Sequence, residues 1–285
     1  MPMSRPRYLT LPIIIVFVSI GYLYFSTVFI FIKEWLGLTT ATGLLNASLL
    51  SAMVLMLLVT YVMAIVRDPG YVPSTFAPDI EDPDNPIQEI KRKGGDLRYC
   101  QKCSHYKPPR AHHCRVCKTC VLKMDHHCVW INNCVGHANY KIFFVFLLDA
   151  VFTSTHSMIF LVGSAVHDIH KDQRQSGGSI RTPYIICGVL LFPLTFALTI
   201  LLGWHIYLVL RNKTTIEHHE GVRAMWLAEK VGSVYQHPYH LGAYENLSSV
   251  LGPNILCWVC PTTGHIGSGL RFRTSYDGIN TVSSR

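Results

Sequence analysis

Four apolar runs set what this chain can become: about Leu11 to Ile32, Leu44 to Val66, Ile142 to Val166 and Tyr184 to Leu210. A helix needs roughly 20 such residues to cross a bilayer. Inside lipid the backbone must satisfy its own hydrogen bonds, so each run is expected as a membrane helix. Composition agrees, because only 15% of residues are charged where a soluble domain carries about 25%. The first run is too long for the apolar part of a cleaved signal peptide and reads as a retained anchor. Pro12 falls in its first turn, where a missing N–H costs least.

Lysine and arginine set the orientation. Arg5 and Arg7 precede the first run, a dozen basic residues lie between Arg67 and Lys141, and Arg211 and Lys213 follow the fourth. The two other loops, near Lys33 to Gly43 and His167 to Pro183, carry few. Both termini and the long central loop are therefore expected in the cytosol. Of the N-x-S/T sequons, those at Asn212 and Asn246 would then be unused, and the one at Asn46 lies too close to the membrane. The formal charge of +8 is spread over loops without a dense run, which argues against nucleic acid and for anionic lipid or an anionic cofactor. Pro73 to Pro86, with Asp79, Glu81, Asp82 and Asp84, reads as an extended linker. Ser176-Gly177-Gly178-Ser179 reads as a flexible loop on the opposite face.

The central loop holds seven of the ten cysteines, between Cys100 and Cys134. They read Cys100-x2-Cys103, His112-His113-Cys114-x2-Cys117-x2-Cys120, Asp125-His126-His127-Cys128, then Cys134. A C-x-x-C puts two thiolates on one tight turn, half of a tetrahedral site, and the neighbouring histidines point to zinc more than to disulfides. Two sites of three cysteines and one histidine leave one thiol over. An all-cysteine site beside a Cys3His site would leave none. The count does not choose between them, nor among His105, His112, His113, His126, His127 and His137. So little of this region is apolar that metal would have to supply its folding energy, on the order of 10 kcal/mol per site. Elsewhere, Cys187 reads as a packed core thiol. Cys257 and Cys260 form half a zinc site with no partner pair, so lipidated or buried thiols are at least as good a reading.

The stretch Cys100-x2-Cys103-x9-His113-Cys114-x2-Cys117-x2-Cys120-x4-Asp125-His126-His127-Cys128-x5-Cys134-x4-Asn139-x3-Phe143 resembles the cysteine-rich domain of the DHHC-type protein S-acyltransferases. Asp68-Pro69-Gly70 after the second run, Thr214-Thr215-Ile216-Glu217 after the fourth, and Tyr244-Glu245-Asn246 before Val250-Leu251-Gly252 are similar to further motifs of that family. The resemblance implies an α-helical polytopic membrane protein, with a cytosolic zinc-binding domain between the second and third of four membrane helices. The expected division is 1–66 (N-terminus and first two helices), 67–141 (linker and cysteine-rich domain), 142–210 (third and fourth helices) and 211–285 (tail).

The same resemblance implies site residues. One zinc would be held by Cys100, Cys103, His113 and Cys120, the other by Cys114, Cys117, His127 and Cys134. Cys128 would be the nucleophile, His126 its base and Asp125 the group that orients the base. Thr215 would hydrogen-bond Asp125, and Asn246 would tie the tail to the same motif. Lys107, Arg110 and His112 would contact the phosphates of coenzyme A, while Trp130, Phe143, Phe146 and Thr153 would meet the acyl chain. The reaction implied carries a palmitoyl group from palmitoyl-CoA to Cys128, then to a membrane-proximal cysteine of a protein substrate. It would take place at the cytosolic face of the Golgi, the endoplasmic reticulum or the plasma membrane. The chemistry is coherent, because an imidazole beside a thiol lets it act as a thiolate through a covalent intermediate. A membrane-anchored zinc adaptor without covalent chemistry is the alternative, but it gives the spare thiol no task. A transporter is disfavoured, since four spans with one polar stripe make a poor pathway.

Overall fold

The computed structural model describes residues 9–78, 97–172, 182–230, 232–262 and 267–275. The linker beyond residue 78, the Ser176–Ser179 loop and the basic N-terminus lie outside the described residues. Four helices among the described residues are long and apolar enough to span a membrane: Leu11–Trp35, Ala41–Val66, Tyr140–Lys171 and Thr182–Leu210. The expected runs all fall inside them. The first comprises α1 (Leu11–Ser26), a π-helical stretch Thr27–Ile32 and a short α2 (Lys33–Trp35). The others are α3 (Ala41–Val66), α4 (Tyr140–Asp172) and α5 (Thr182–Leu210).

The chain forms two compact units. One gathers Leu9–Met63 with Phe144–Trp204 and holds most of the membrane helices. Its core contains Val28, Phe31, Leu50, Val54, Phe160, Leu161 and Leu191, with the buried Cys187 thiol packed among them. Gly163 lets the Trp35 ring lie against α4, since a Cβ there would collide with the indole. Asp149, costly in lipid, accepts a hydrogen bond from the Thr60 hydroxyl at 3.0 Å. Phe146 stacks on Tyr61 at 5.2 Å between ring centroids.

The other unit gathers Ala64–Phe143 with His205–Arg285 and holds the cysteine-rich region. Three antiparallel hairpins follow one another among its described residues. They are β1 (Tyr99–Cys100) with β2 (His105–Tyr106), β3 (His112–Cys114) with β4 (Thr119–Val121), and β5 (His126–Cys128) with β6 (Asn133–Val135). Two- and three-residue strands cannot bury a core of their own. Small apolar groups therefore collect around the cysteines: Val72, Ala111 and Leu122 beside Cys100 and Cys120, and Val121 and Met124 beside Cys114 and Cys134.

Short contacts tie the hairpins to the helix ends. Gly70 donates its N–H to the Asp68 carboxylate at 2.7 Å and takes a positive φ of 93°, so Asp68-Pro69-Gly70 turns the chain after α3. The segment then runs along β4, where the Val72 N–H bonds the Cys120 carbonyl at 3.0 Å. The Asn133 amide donates to the carbonyls of Ala64, Ile65 and Arg67 at 2.8–3.2 Å. These carbonyls sit at the C-terminal end of α3, where a helix has no partners of its own to offer. Asn139 accepts from the Gly136 N–H and donates to the Cys134 carbonyl, which fixes the exit from β6 into α4.

After α5 the chain enters α6 (Thr215–Lys230), and later α7 (Ala243–Leu251). Thr214 and Glu217 form a reciprocal capping box. The Glu217 N–H bonds the Thr214 hydroxyl at 3.1 Å, and the Thr214 N–H bonds the Glu217 carboxylate at 2.9 Å. Asn246 donates to the Leu210 carbonyl at 2.8 Å and accepts from the Leu241 N–H at 3.0 Å. It thus ties the tail to the end of α5, a few residues before Thr214.

Candidate active site

The hairpins share one plan. The turn between β1 and β2 carries Cys100 and Cys103, and across the next hairpin His113 pairs directly with Cys120. The turn between β3 and β4 carries Cys114 and Cys117, and across the following hairpin His127 pairs directly with Cys134. Each turn's two thiols meet the cross-strand His–Cys pair of the hairpin after it. The result is two four-membered clusters, Cys100–Cys103–His113–Cys120 and Cys114–Cys117–His127–Cys134.

In the first cluster His113 Nδ1 stands 3.2 Å from Cys103 Sγ, 3.6 Å from Cys100 Sγ and 3.9 Å from Cys120 Sγ. In the second, His127 Nδ1 stands 3.4–3.7 Å from three sulfurs, and Cys117 and Cys134 Sγ are 3.5 Å apart. A tetrahedron with metal–sulfur arms of about 2.3 Å and metal–nitrogen arms of about 2.0 Å has edges of about 3.5 to 3.8 Å. Both clusters fit a metal of that size, and three thiolates with one imidazole are a donor set that suits zinc.

The third hairpin follows the same 14-residue register. His112-His113-Cys114-x2-Cys117-x2-Cys120 maps onto His126-His127-Cys128-x2-Ile131-x2-Cys134. Even the turn backbone repeats, because Ser104, Lys118 and Asn132 all take positive φ (56°, 58° and 45°). Where the second hairpin has Cys117, the third has Ile131, fully buried, and α4 begins where a fourth hairpin would have to supply a His–Cys pair. Cys128 therefore lies outside both clusters. This register was readable in the sequence as a period, but the three turns look different until their backbones are compared.

Side chains alternate faces along a strand. His127 turns to the metal cluster, so His126 and Cys128 share the opposite face of β5, where the thiol side chain favours the protonated form of His126. His126 Nδ1 lies 2.7 Å from the Asp125 carboxylate. Asp125 is fully buried and also accepts the Thr215 N–H and the Thr215 hydroxyl, each at 2.9 Å. The capping box explains why Thr215 is available: Thr214 and Glu217 close the helix start, which leaves the next residue's donors and the positive helix end facing the carboxylate. Burial works against the imidazolium, but the bonds to Asp125 and Cys128 outweigh it and hold the His126 pKa up at about 9. Burial likewise works against the Asp125 carboxylate, and its bond from His126 keeps its pKa below the ordinary value.

Such a group of thiol, imidazole and carboxylate can carry an acyl group on sulfur. The DHHC palmitoyltransferase family matches residues 93–222 of this chain. Probable protein S-acyltransferase 16 of Arabidopsis thaliana is 61% identical over 270 residues, covering 95% of this chain and 94% of that protein. The chain belongs to the DHHC palmitoyltransferase family. Probable protein S-acyltransferase 15 of the same plant is 45% identical, covering 90% of this chain and 99% of that protein. Palmitoyltransferase ZDHHC15 of Rattus norvegicus is 36% identical over 180 residues, covering 62% of this chain and 50% of that protein.

Within this DHHC domain the three expected coenzyme contacts differ in burial and partners. Arg110 is buried, and its guanidinium grips Glu217 through two bonds of 2.6 and 2.8 Å. It also bonds the Asn212 side chain at 3.2 Å and carbonyl at 2.8 Å, and lies 4.1 Å from the Tyr239 ring centroid. Its positive φ of 61° is held by these contacts. Arg110 is a strut between the cysteine-rich region and the start of α6. At His112, burial and nearby Arg98 push the pKa down to about 4. Lys107 remains half-buried.

Of the expected acyl-chain contacts, Trp130 is more than half exposed beside Cys128, with Val129 equally exposed. Phe143 is buried and packs edge-on against His126 at 5.3 Å, so it walls the imidazole. Phe146 and Thr153 lie farther along α4, and both face inward in their own unit, with Thr153 buried. Sequence reasoning missed Asn133, which hangs the Cys128 hairpin on α3, and His205, whose imidazole shares a cluster with Asp125 and His126. No local pattern marks either residue.

Proposed function

We propose that this protein transfers a long-chain acyl group from acyl-CoA to cysteines of membrane-associated proteins, through a thioester on Cys128. The observation that carries the reading is a thiol outside both metal clusters, on the same strand face as an imidazole that a buried carboxylate anchors. An imidazole that Asp125 holds up at a pKa of about 9 is a base strong enough to take the proton of a thiol nucleophile. The Cys128 thiolate attacks the thioester carbonyl, and the carbon–sulfur bond to coenzyme A breaks. The departing thiolate takes the proton from His126. In the second step the substrate thiol gives its proton to His126, its sulfur attacks the acyl-Cys128 carbonyl, and Cys128 leaves. Each step exchanges one thioester for another, so the enzyme's work is on the barrier. Asp125 stabilises the imidazolium and fixes its tautomer, and Thr215 fixes Asp125.

Zinc is the metal we assign to the two clusters, held by Cys100, Cys103, His113 and Cys120 and by Cys114, Cys117, His127 and Cys134. Its contribution is to fold the hairpins and fix the backbone at His127, next to the nucleophile. Palmitoyl-CoA is the donor we assign. A sixteen-carbon chain favours an apolar site over water by on the order of 10 kcal/mol, which suits a nucleophile placed a dozen residues before α4, with exposed Val129 and Trp130 beside it. Of the expected phosphate contacts Lys107, Arg110 and His112, Lys107 is the cation with the weakest ties to the rest of the protein. The basic central loop and tail support a cytosolic site on the Golgi, the endoplasmic reticulum or the plasma membrane. An adaptor without catalysis is not favoured, since the relatives are named as acyltransferases.

The test is incubation of the purified protein with radiolabelled palmitoyl-CoA. The wild type should take up label that hydroxylamine releases, and Cys128→Ser should take up none. Equal label in Cys128→Ser overturns the reading.

A further inference from the structure

A second imidazole lies in the active site without a part in the steps above. His205, from the last turns of α5, is 1% exposed. A ring nitrogen of His205, a carboxylate oxygen of Asp125 and a ring nitrogen of His126 lie within 4.8 Å of one another. His205 Nδ1 stands 2.9 Å from the Tyr140 hydroxyl. Tyr140 is itself fixed where α4 begins, its N–H bonded to the Gly136 carbonyl at 2.9 Å. The His205 ring lies 5.8 Å from the His126 ring and 5.1 Å from Phe143, and Phe143 lies 5.3 Å from His126, so the three rings pack mutually.

We propose that His205, held by Tyr140, is a positioning residue for the acyl transfer: with Phe143 it braces the His126 ring so that the nitrogen not bonded to Asp125 stays directed toward Cys128. Asp125 binds His126 at one atom only, and a ring held at one atom still swings about that bond. Ring nitrogen and sulfur must keep their separation and angle for proton transfer to follow the chemistry. Two mutually packed rings against one side of His126 restrict the swing, and the Tyr140 bond restricts it for His205 in turn. His205 is also the point where α5 meets the site, on the same chain segment that delivers Thr215 ten residues later. Asp125 is thereby gripped by one residue of that segment and His126 is braced by another.

This inference rests on the proposed acyl-Cys128 reading. Label surviving in Cys128→Ser would defeat that reading, whereas the outcomes below bear on His205 alone. The experiment measures single-turnover loading of radiolabelled palmitoyl-CoA, with zinc per chain determined in parallel. His205→Ala should slow loading by about 10- to 100-fold, the loss that a misplacement of about 1 Å produces, with zinc stoichiometry unchanged. His205→Asn, which keeps a polar atom near Tyr140, should recover part of the rate. Tyr140→Phe removes one oxygen and should slow loading by about fivefold. In a His126→Ala background, adding His205→Ala should change the residual rate by less than about twofold, since the ring it braces is gone. A merely structural role predicts that the same factor is lost in both backgrounds. Wild-type loading in His205→Ala or in Tyr140→Phe, or equal losses with and without His126, overturns the proposal.

Discussion

Two neighbouring threonines in one motif should fail in different ways, and Thr215→Val is the sharper change. Valine matches threonine in shape, so the substitution removes a hydroxyl and leaves little cavity. That hydroxyl is one of three donors to the fully buried Asp125, with the Thr215 N–H at 2.9 Å and His126 Nδ1 at 2.7 Å as the others. A hydrogen bond to a charged group is worth about 1.5–3 kcal/mol, and the lost partner here leaves a buried carboxylate short of a donor. About 2 kcal/mol corresponds to roughly a 30-fold change in an equilibrium or a rate. Single-turnover loading of Cys128 with labelled palmitoyl-CoA should therefore fall about 30-fold in Thr215→Val, while Thr215→Ser, which keeps the hydroxyl, stays near wild type. Thr214→Val removes the acceptor for the Glu217 N–H instead. It should lower the melting temperature, at a cost of about 0.5–2 kcal/mol as for other caps, with a smaller effect on loading once folded. If Thr215→Val loads at the wild-type rate with its zinc intact, Asp125 does not depend on this grip, and the account of how the tail organises the site is wrong.

Acid should expose the Arg110–Glu217 strut. Burial alone would raise the Glu217 pKa, but Arg110 overrides it and holds the carboxyl at about 2, below the ordinary 4.5. A depressed carboxyl contributes stability that is complete above about pH 4.5 and fades as pH falls toward 2, about 3 kcal/mol in all. Denaturation across that window should be less pH-dependent in an Arg110→Met, Glu217→Gln double variant than in wild type, and equal slopes would contradict the ion pair. Ile131→Cys restores the second thiol of the third hairpin's turn. It should make loading of Cys128 sensitive to micromolar cadmium and recoverable with chelator, and an insensitivity equal to wild type would count against the shared register. On α4, Thr153→Tyr fills space at a buried position. It should shift loading from palmitoyl-CoA toward shorter acyl-CoAs, and an unchanged chain-length profile would remove Thr153 from the acyl site.

Much of this protein was legible without coordinates where the cause is local. Membrane helices follow from runs of apolar side chains, and metal clusters from C-x-x-C turns, because both depend on residues close together in the chain. The Thr214–Glu217 capping box was equally local, although its sequence form was read only as a family motif. What counting could not decide was which histidine of each His-His pair joins a metal cluster. The strand decides it: neighbours on β3 and β5 face opposite ways, and the register places His113 across from Cys120 and His127 across from Cys134. The same alternation leaves His126 on the face of Cys128.

Arg110 shows the opposite limit. A basic residue between prolines and histidines reads as a solvated phosphate contact, and only the tertiary structure, which brings Glu217 to it across 107 positions, turns it into a buried strut. Asn133 on the carbonyls of α3 and His205 beside Asp125 are likewise products of distant segments meeting. Sequence alone fixed the membrane helices and the pool of metal-donor atoms, since hydrophobicity and ligand chemistry belong to the residues themselves. Tertiary structure decided which thiol stays outside the clusters, which imidazole of each pair joins them and which cation is buried, since burial, facing and partnership exist only once remote parts of the chain are packed together.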